Sequence, residues 1–468
     1  MLKPDYSLTA ADLTPQLDAF WKLSGSKIQL IDRTYDRAGG SPVFTVAGKY
    51  ATRGWTEWTQ GFEYGSGILQ FEATGDQWFL EFARSNTLSR MAPHLSHFGV
   101  HDHGFNNVST YGNLLRLHEM GLYTGSEWEA QLYRLALKLS AAVQARRWTS
   151  TVNGGFIHSF NGTHSLFVDT IRSCRSLALG HLLGHRCMDE GDKEISLFGR
   201  LIEHAKSTAQ YSIYYGDGRD RYDTRPGRTT HEAVFNTVTG QFRCPATQQG
   251  YSAFSTWTRG LAWAMLGFSE ELELLRVVDD TELEAFGGRK EVEKIFLKAA
   301  RATCDFYINN TPTDGIPYWD TGAPHLHKLG SDYLERRCDP FNDHEPVDSS
   351  AAVIGAQGLL RLGRYLGMDS DEGKRYFQAG LTVTGHLLSE PFLSISDTHQ
   401  GLILHSIYHQ PNGWDHIPTG SKISHGEASM WGDYHARELA LYVGKIANNS
   451  DYRFFDCVPQ TLPSPPAP

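Results

Sequence analysis

Trp128-Glu-Ala-Gln-Leu-Tyr-Arg-Leu-Ala-Leu-Lys-Leu-Ser-Ala-Ala-Val143 sets apolar residues at Trp128, Leu132, Leu135, Leu139 and Val143. Intervals of three and four residues place side chains on one face of a helix. Leu197, Leu201 and Ile202 repeat the pattern. Helices are predicted near 10–23, 60–73, 76–91, 107–121, 125–147, 167–184, 189–210, 255–273, 286–309, 348–366, 371–390 and 427–445, with 397–409 the weakest. The chain therefore reads as all-α. Strand signals are confined to 151–158 and 234–242, two hairpins around Asn-Gly and Thr-Gly turns. Long irregular segments at 24–54, 211–250 and 310–347 are rich in Gly, Pro, Asp and Tyr, and loops of that length in a compact domain usually carry function. No linker divides the chain. Paired helices closed into a ring would bury this many apolar faces, with the long loops at one rim. The alternative, an open solenoid, would show a fixed internal repeat, and none is seen. Residues 456–468, ending Pro459-Gln-Thr-Leu-Pro-Ser-Pro-Pro-Ala-Pro468, read as a disordered tail.

Composition narrows the function. The net charge of −10 and the lack of a dense Lys/Arg run argue against nucleic acid as a partner. The first twenty residues carry Lys3, Asp5, Asp12 and Asp18 and hold no apolar signal core, and no stretch reaches transmembrane length. The six cysteines are scattered without a Cys-x-x-Cys pair, as expected of reduced thiols in a cytoplasmic protein with no membrane partner. An aromatic content of 12% is a weak pointer to sugar binding.

Polar and aromatic residues gather where loops run into predicted helices: Trp58, His101, Asp102, Asp169 and the segment from Gln249 to Trp263. Each has a bland reading. Asp102 is well placed to cap a helix starting after it. Asp169 lies in the apolar run Phe167-Val-Asp-Thr-Ile171, where a carboxylate needs a partner or a purpose. Arg259 and Trp263, four apart beside Trp257, make either an anion clamp with rings for a sugar or an arginine stem packed on core tryptophans. His101-Asp102-His103 is a poor metal site, because adjacent residues rarely converge on one ion. No Gly-x-Ser-x-Gly elbow and no phosphate loop appears.

Read in order, Trp58-x-x-Gly-Phe62, His101-Asp102-x-Gly-Phe105, Val168-Asp169, His231 before a Thr-Gly turn, Gln249-Gly-Tyr251, Trp257-x-Arg-Gly260 with Trp263, Asp348-Ser-Ser-Ala351 and Gly432-Asp-Tyr434 resemble the unsaturated glucuronyl hydrolases, glycoside hydrolase family 88. The resemblance spans about residues 55–440. It implies an (α/α)6 barrel of six helical hairpins, with a few short β-hairpins in long loops, as one catalytic domain over 1–455. It implies release of a 4,5-unsaturated glucuronic acid from the nonreducing end of lyase-made oligosaccharides, by hydration of the ring vinyl ether and without metal or organic cofactor. Carried over residue by residue, Asp169 matches the general acid at C4 and the base toward water. That role calls for a carboxyl raised by Phe167, Val168 and Ile171. Asp102 matches the second aspartate, His101, His231, Gln249 and Arg259 match polar substrate contacts, and Trp58, Trp257 and Trp263 match aromatic walls. The partner implied is an unsaturated uronic-acid oligosaccharide, handled by a monomer or homodimer.

Two positions depart from the family pattern. His103 stands where the family is usually apolar, which makes it an exposed variant or a substrate contact. Thr419-Gly-Ser-Lys422 lacks the Ser-x-Lys spacing of sulfate-tolerant members, which speaks against sulfated fragments as substrates. Asp348-Ser-Ser350 reads as a structural N-cap. Unsaturated rhamnogalacturonyl hydrolase is a near alternative, and a sugar epimerase working through histidines or a noncatalytic sugar-binding protein on the same fold are more distant ones.

Overall fold

The computed structural model describes residues 1–54 and 58–458. Long periodic segments fold as expected. Among the described residues twelve barrel helices follow one another: α1 (Thr14–Thr34), α2 (Gln60–Thr74), α3 (Gln77–Arg90), α4 (an interrupted helix over 103–119), α5 (Glu127–Arg146), α6 (Thr170–Ser173 continued by Arg175–Leu182), α7 (Leu197–Tyr211), α8 (Thr258–Leu275), α9 (Arg289–Asn310), α10 (Ser349–Leu366), α11 (Asp371–Leu387) and α12 (Met430–Ala447). Even-numbered helices form an inner ring. Each packs on the next, α2 on α4, α4 on α6, α6 on α8, α8 on α10, α10 on α12, and α12 returns to α2. The ring is closed, so the solenoid is excluded. Odd-numbered helices lie outside, each joined to the inner helix that follows it. Every residue of Gln60 to Phe71, Ser349 to Gly363 and Met430 to Val443 is buried, as expected of helices covered on all sides.

The outer helix α5 corrects the reading of its own faces. Ser126 and Glu129 close a capping box at its start. Its buried side carries Tyr133, Ala136, Leu137, Ser140 and Ala141, while Trp128, Leu135 and Leu139 are 70%, 62% and 42% exposed. Small residues decide the face. A Cβ on Gly180 of α6 would stand 2.4 Å from that of Ala141, so the two backbones approach to a distance that large side chains would prevent.

Other segments differ from expectation. Within 24–54, α1 runs on to Thr34, and Pro42–Val46 pairs antiparallel with Lys49–Thr52. The segment 397–409 is not helical. The front of the predicted 189–210 helix is occupied by Glu194–Ile195, paired with Cys187–Met188. Inside α4 the residues Val108–Gly112 form a π turn. Both expected hairpins are present, Trp148–Thr151 with Gly154–Ile157 and Glu232–Phe235 with Phe242–Ala246, and Ser165–Phe167 adds a third strand to the second. Phe455–Cys457 form a 3-10 turn with Cys457 and Val458 buried, so packed chain extends beyond the expected limit at 455. The tail over 459–468 lies outside the described residues. Among the described residues no helix is long and apolar enough to cross a membrane.

Candidate active site

The starts of the inner helices meet at one rim, and two glycines set how closely. A Cβ on Gly61 would fall 2.2 Å from the Asn106 carbonyl oxygen, and one on Gly104 would fall 2.1 Å from that of Ser173. Neither contact tolerates a side chain. The Ser173 hydroxyl donates to the His101 carbonyl at 2.6 Å and accepts from the Gly104 amide at 3.0 Å and Gln144 Nε2 at 3.0 Å. This hub locks the start of α4 onto the first turn of α6. His101, Asp102 and Asp169 are thereby brought together.

His101 Nε2 lies 3.3 Å from Asp169 Oδ1 and 3.6 Å from Asp102 Oδ1. Both carboxylates are 8% exposed and the imidazole 1%. Asp102 precedes α4 but makes no capping hydrogen bond, so the capping reading fails and its carboxyl faces the cavity. Burial raises the Asp102 carboxyl above its ordinary value; His101 opposes and the Asp169 charge adds to the rise. Asp169 moves the other way. Burial pushes it up, as expected from Phe167, Val168 and Ile171, but the hydrogen bond and charge of His101, with His231 and Arg259, leave it below the carboxylate range. The expected elevation of Asp169 is therefore absent from the free site. His101 is raised, burial being outweighed by Asp102 and Asp169.

His231 enters beside Asp169 because the Val168 amide donates to its carbonyl at 2.9 Å, an extension of the strand pairing. Its Nδ1 accepts from the amides of Gln248 at 3.0 Å and Gln249 at 3.4 Å. The proton therefore sits on Nε2, which is buried without a partner. Gln249 lines the cavity. Trp58 is half-buried there and stacks on Trp431 at 5.1 Å.

Three expected contacts sit behind the wall instead. Arg259 is 1% exposed. Its guanidinium donates to Asp348 Oδ2 at 3.1 Å, Gln249 Oε1 at 2.8 Å, the Tyr408 carbonyl at 2.8 Å and the Ile407 carbonyl. It braces Gln249 and the 407–408 loop. Trp257, 3% exposed, packs on His231 and under Arg259. Trp263, 1% exposed, lies in the core against Phe105 and His435. Asp348 caps α10 through the Ser350 amide at 3.0 Å, as expected, and also holds Arg259. His103 is neither exposed nor a substrate contact. It is 1% exposed, with Nδ1 3.0 Å from Ser140 Oγ and Nε2 3.0 Å from the His97 carbonyl. The packed polar network of α4 and α5 fills the place of an apolar side chain.

A cavity of about 830 Å³ opens over Asp102, Trp58 and Gln249 and is completed by Arg53, His409 and Trp414. Sequence reading missed the last three. The run Tyr408-His-Gln-Pro-Asn-Gly-Trp414 carries a loop signal in its Pro-Asn-Gly and a binding signal in its aromatics. The weak helical pattern over 397–409 obscured both. Lys422 points elsewhere, to Asp343 at 2.8 Å. Among the described residues no group of His, Cys, Asp or Glu is arranged to hold a metal ion.

Two buried carboxylates thus share an imidazole at the inner-helix rim of a closed helical barrel, an arrangement suited to acid–base chemistry. The relatives of this chain specify the kind. It is 26% identical over 386 residues to an unsaturated glucuronyl hydrolase of Formosa agariphila, covering 82% of this chain and 78% of that one. It is 26% identical over 457 residues to the unsaturated chondroitin disaccharide hydrolase of Streptococcus pyogenes, covering 94% and 92%. The crystal structure of unsaturated glucuronyl hydrolase from Bacillus sp. GL1 shares the fold with a TM-score of 0.69 at 21% identity, over 91% of this chain and 97% of that one. No family model matches the chain. The chain is thus a relative of the unsaturated glucuronyl hydrolases, in keeping with the resemblance to glycoside hydrolase family 88.

Proposed function

We propose that the protein releases a 4,5-unsaturated glucuronic acid from the nonreducing end of lyase-made oligosaccharides. The observation that carries this is the Asp102–His101–Asp169 group, with Asp102 lining the cavity and His101 within reach of both carboxylates behind it. Protonation of C4 of the vinyl ether leaves an oxocarbenium-like centre at C5. Water adds to C5 and gives its proton to the carboxylate that served as acid. The hemiketal opens between C5 and the ring oxygen, and the resulting hemiacetal at C1 expels the second sugar as an alcohol. Cleavage follows from hydration, so the separation of the two carboxylates does not report stereochemistry as it does in ordinary glycosidases.

In this reading Asp169 and His101 carry one proton as a unit. His101 holds it in the free site, and Asp169 delivers it once the substrate has displaced water. The unpaired Nε2 of His231 and the Gln249 side chain serve the uronate oxygens, and Trp58 stacks on the sugar. The raised carboxyl of Asp102 favours one rival assignment, Asp102 as the acid and Asp169 as the water base. A reducing location, the cytoplasm, fits six unpaired cysteines. The working unit is a monomer or homodimer, which sedimentation velocity distinguishes.

The test is loss of the ultraviolet absorbance of the ring double bond on incubation with unsaturated glycosaminoglycan, gellan and xanthan fragments. Persistent absorbance across that panel rejects the reading. Asp169→Asn should then abolish turnover by roughly a thousandfold with the fold intact, as for a lost general acid. If Asp102→Asn alone does so, the two aspartates exchange roles.

A further inference from the structure

The cavity contains a cation that none of these roles uses. Arg53 follows the strand Lys49–Thr52 and is exposed at the cavity edge. Its guanidinium carbon lies 4.2 Å from the ring centre of Trp414, 5.8 Å from that of Tyr408 and 5.4 Å from that of Phe44. Among the described residues no carboxylate pairs with it. Packing over these rings holds the guanidinium at the cavity edge, where its N–H groups can meet an oxyanion.

The aromatic rings tell which end of a substrate this cation meets. Trp58 lies against Trp431 at 5.1 Å, Trp431 against Tyr408 at 5.1 Å and Tyr408 against Trp414 at 5.3 Å. Along that ladder Trp58 is half-buried at the cavity; from Trp431 outward exposure rises from 0% through 8% at Tyr408 to 36% at Trp414, and Arg53 beside it is exposed. The Trp58 end of the ladder packs on Phe105, three residues after Asp102. The ladder therefore runs from the Asp102 side of the cavity to its exposed edge at Trp414 and Arg53. An enzyme that removes a terminal sugar would bind that sugar on the Asp102 side and the second one nearer the exposed edge.

We infer that Arg53, held over the Trp414 ring, is a specificity-determining residue that recognises an acidic group, sulfate or carboxylate, on the second sugar of the substrate. This deepens the hydrolase reading and rests on it. It also revises the expectation drawn from the missing Ser-x-Lys spacing, because a cation is supplied from a different loop. Arg53 lies beyond the reacting atoms, so its contribution falls on substrate affinity and leaves the chemical step alone.

The experiment compares wild type, Arg53→Gln and Arg53→Lys on unsaturated chondroitin disaccharides that carry or lack sulfate on the second sugar. Arg53→Gln should raise KM for the sulfated disaccharide roughly tenfold, the worth of one charge-assisted hydrogen bond, with kcat and the unsulfated substrate changed less than about twofold. Arg53→Lys should recover part of the loss, since a point charge replaces a planar fork. The preference of wild type should weaken with added salt, because an exposed pair is screened. Equal losses on both disaccharides would place Arg53 on the terminal uronate and overturn the inference, as would no loss on either. If wild type consumes neither disaccharide, nor any other fragment of the panel, the hydrolase reading itself fails.

Discussion

His101 Nε2 stands 3.3 Å from Asp169 Oδ1, and burial with the neighbouring charges moves the two groups in opposite directions. His101 is raised by Asp102 and Asp169 against burial, and Asp169 is lowered by His101 against burial, which favours the proton on the imidazole over the carboxyl. A group whose pKa is raised keeps its proton to higher pH, and the alkaline limb of activity should follow the pair's single proton above the usual imidazole range. His101→Gln removes that reservoir. Asp169 then titrates as a lone buried carboxyl, its alkaline limb should fall to lower pH, and kcat should drop by roughly a hundredfold. A pH profile of kcat/KM for both proteins checks this, and an unchanged alkaline limb would assign the proton elsewhere.

Gly104 tests how tightly the two aspartates are paired. A methyl group there would press on the Ser173 carbonyl oxygen at 2.1 Å, and backbone cannot rotate aside as a side chain can. Gly104→Ala should spread the starts of α4 and α6, weaken the hydrogen bonds of Ser173, and move His101 and Asp102 away from Asp169. A displacement of about 1 Å between reacting groups costs on the order of a hundredfold in rate. Turnover should fall by that order while binding of the substrate to an Asp169→Asn background weakens far less. Calorimetry and the absorbance assay together separate the two effects.

Helices were legible because their apolar repeat persists over many turns, and this holds for all twelve, with the largest shifts at the end of α1 and the start of α7. Their faces were less legible. In α5 Trp128, Leu135 and Leu139 point to solvent, and close packing onto Gly180 is made by Ala141, whose small size leaves no mark on a hydrophobic pattern. The proposed site residues His101, Asp102 and Asp169 were picked out through motifs at helix starts, because helix starts have recognisable punctuation. Arg53 and Trp414 were missed because they come from irregular loops 361 positions apart, and nothing local relates them before the barrel closes. Arg259 shows what residue type alone leaves open. Its residue type and its tryptophan neighbours suit an anion clamp equally well with the guanidinium facing out or in, and only burial distinguishes the two.

His103 gives a stability prediction with a definite sign. Burial, chiefly, and the charges of His97, Arg147 and His94 depress its pKa to about 3, against roughly 6.5 for an unfolded imidazole. Between those values the unfolded chain binds the proton and the folded chain does not. The group therefore costs stability as pH falls through that window, by up to about 1.4 kcal/mol per pH unit. His103→Gln cannot titrate. Near neutral pH the variant should be less stable by about 1–3 kcal/mol, through disturbed bonds to Ser140 and the His97 carbonyl. Toward about pH 5 the difference should shrink and vanish as wild type loses stability and the variant does not. Urea unfolding at several pH values reads the gap, and a gap independent of pH would show that His103 is charged in the fold.

Arg259 and Asp348 make an ion pair with side chains 1% and 0% exposed, and the geometry separates support from substrate contact. Removing one member of a buried pair strands the other charge, at a cost of about 3–5 kcal/mol. Arg259→Gln should therefore lower stability by that amount and also loosen Gln249 and the 407–408 loop, which accept from the same guanidinium. Asp348→Asn should cost a similar amount. The double variant should be more stable than the sum of the two losses allows, since neither charge is left unpaired. A residue that only clamps the substrate behaves otherwise: its loss raises KM and leaves unfolding unchanged. Urea unfolding of the four proteins of this cycle, with KM measured on each, distinguishes the two. A KM defect in Arg259→Gln without any stability defect would return Arg259 to the cavity wall.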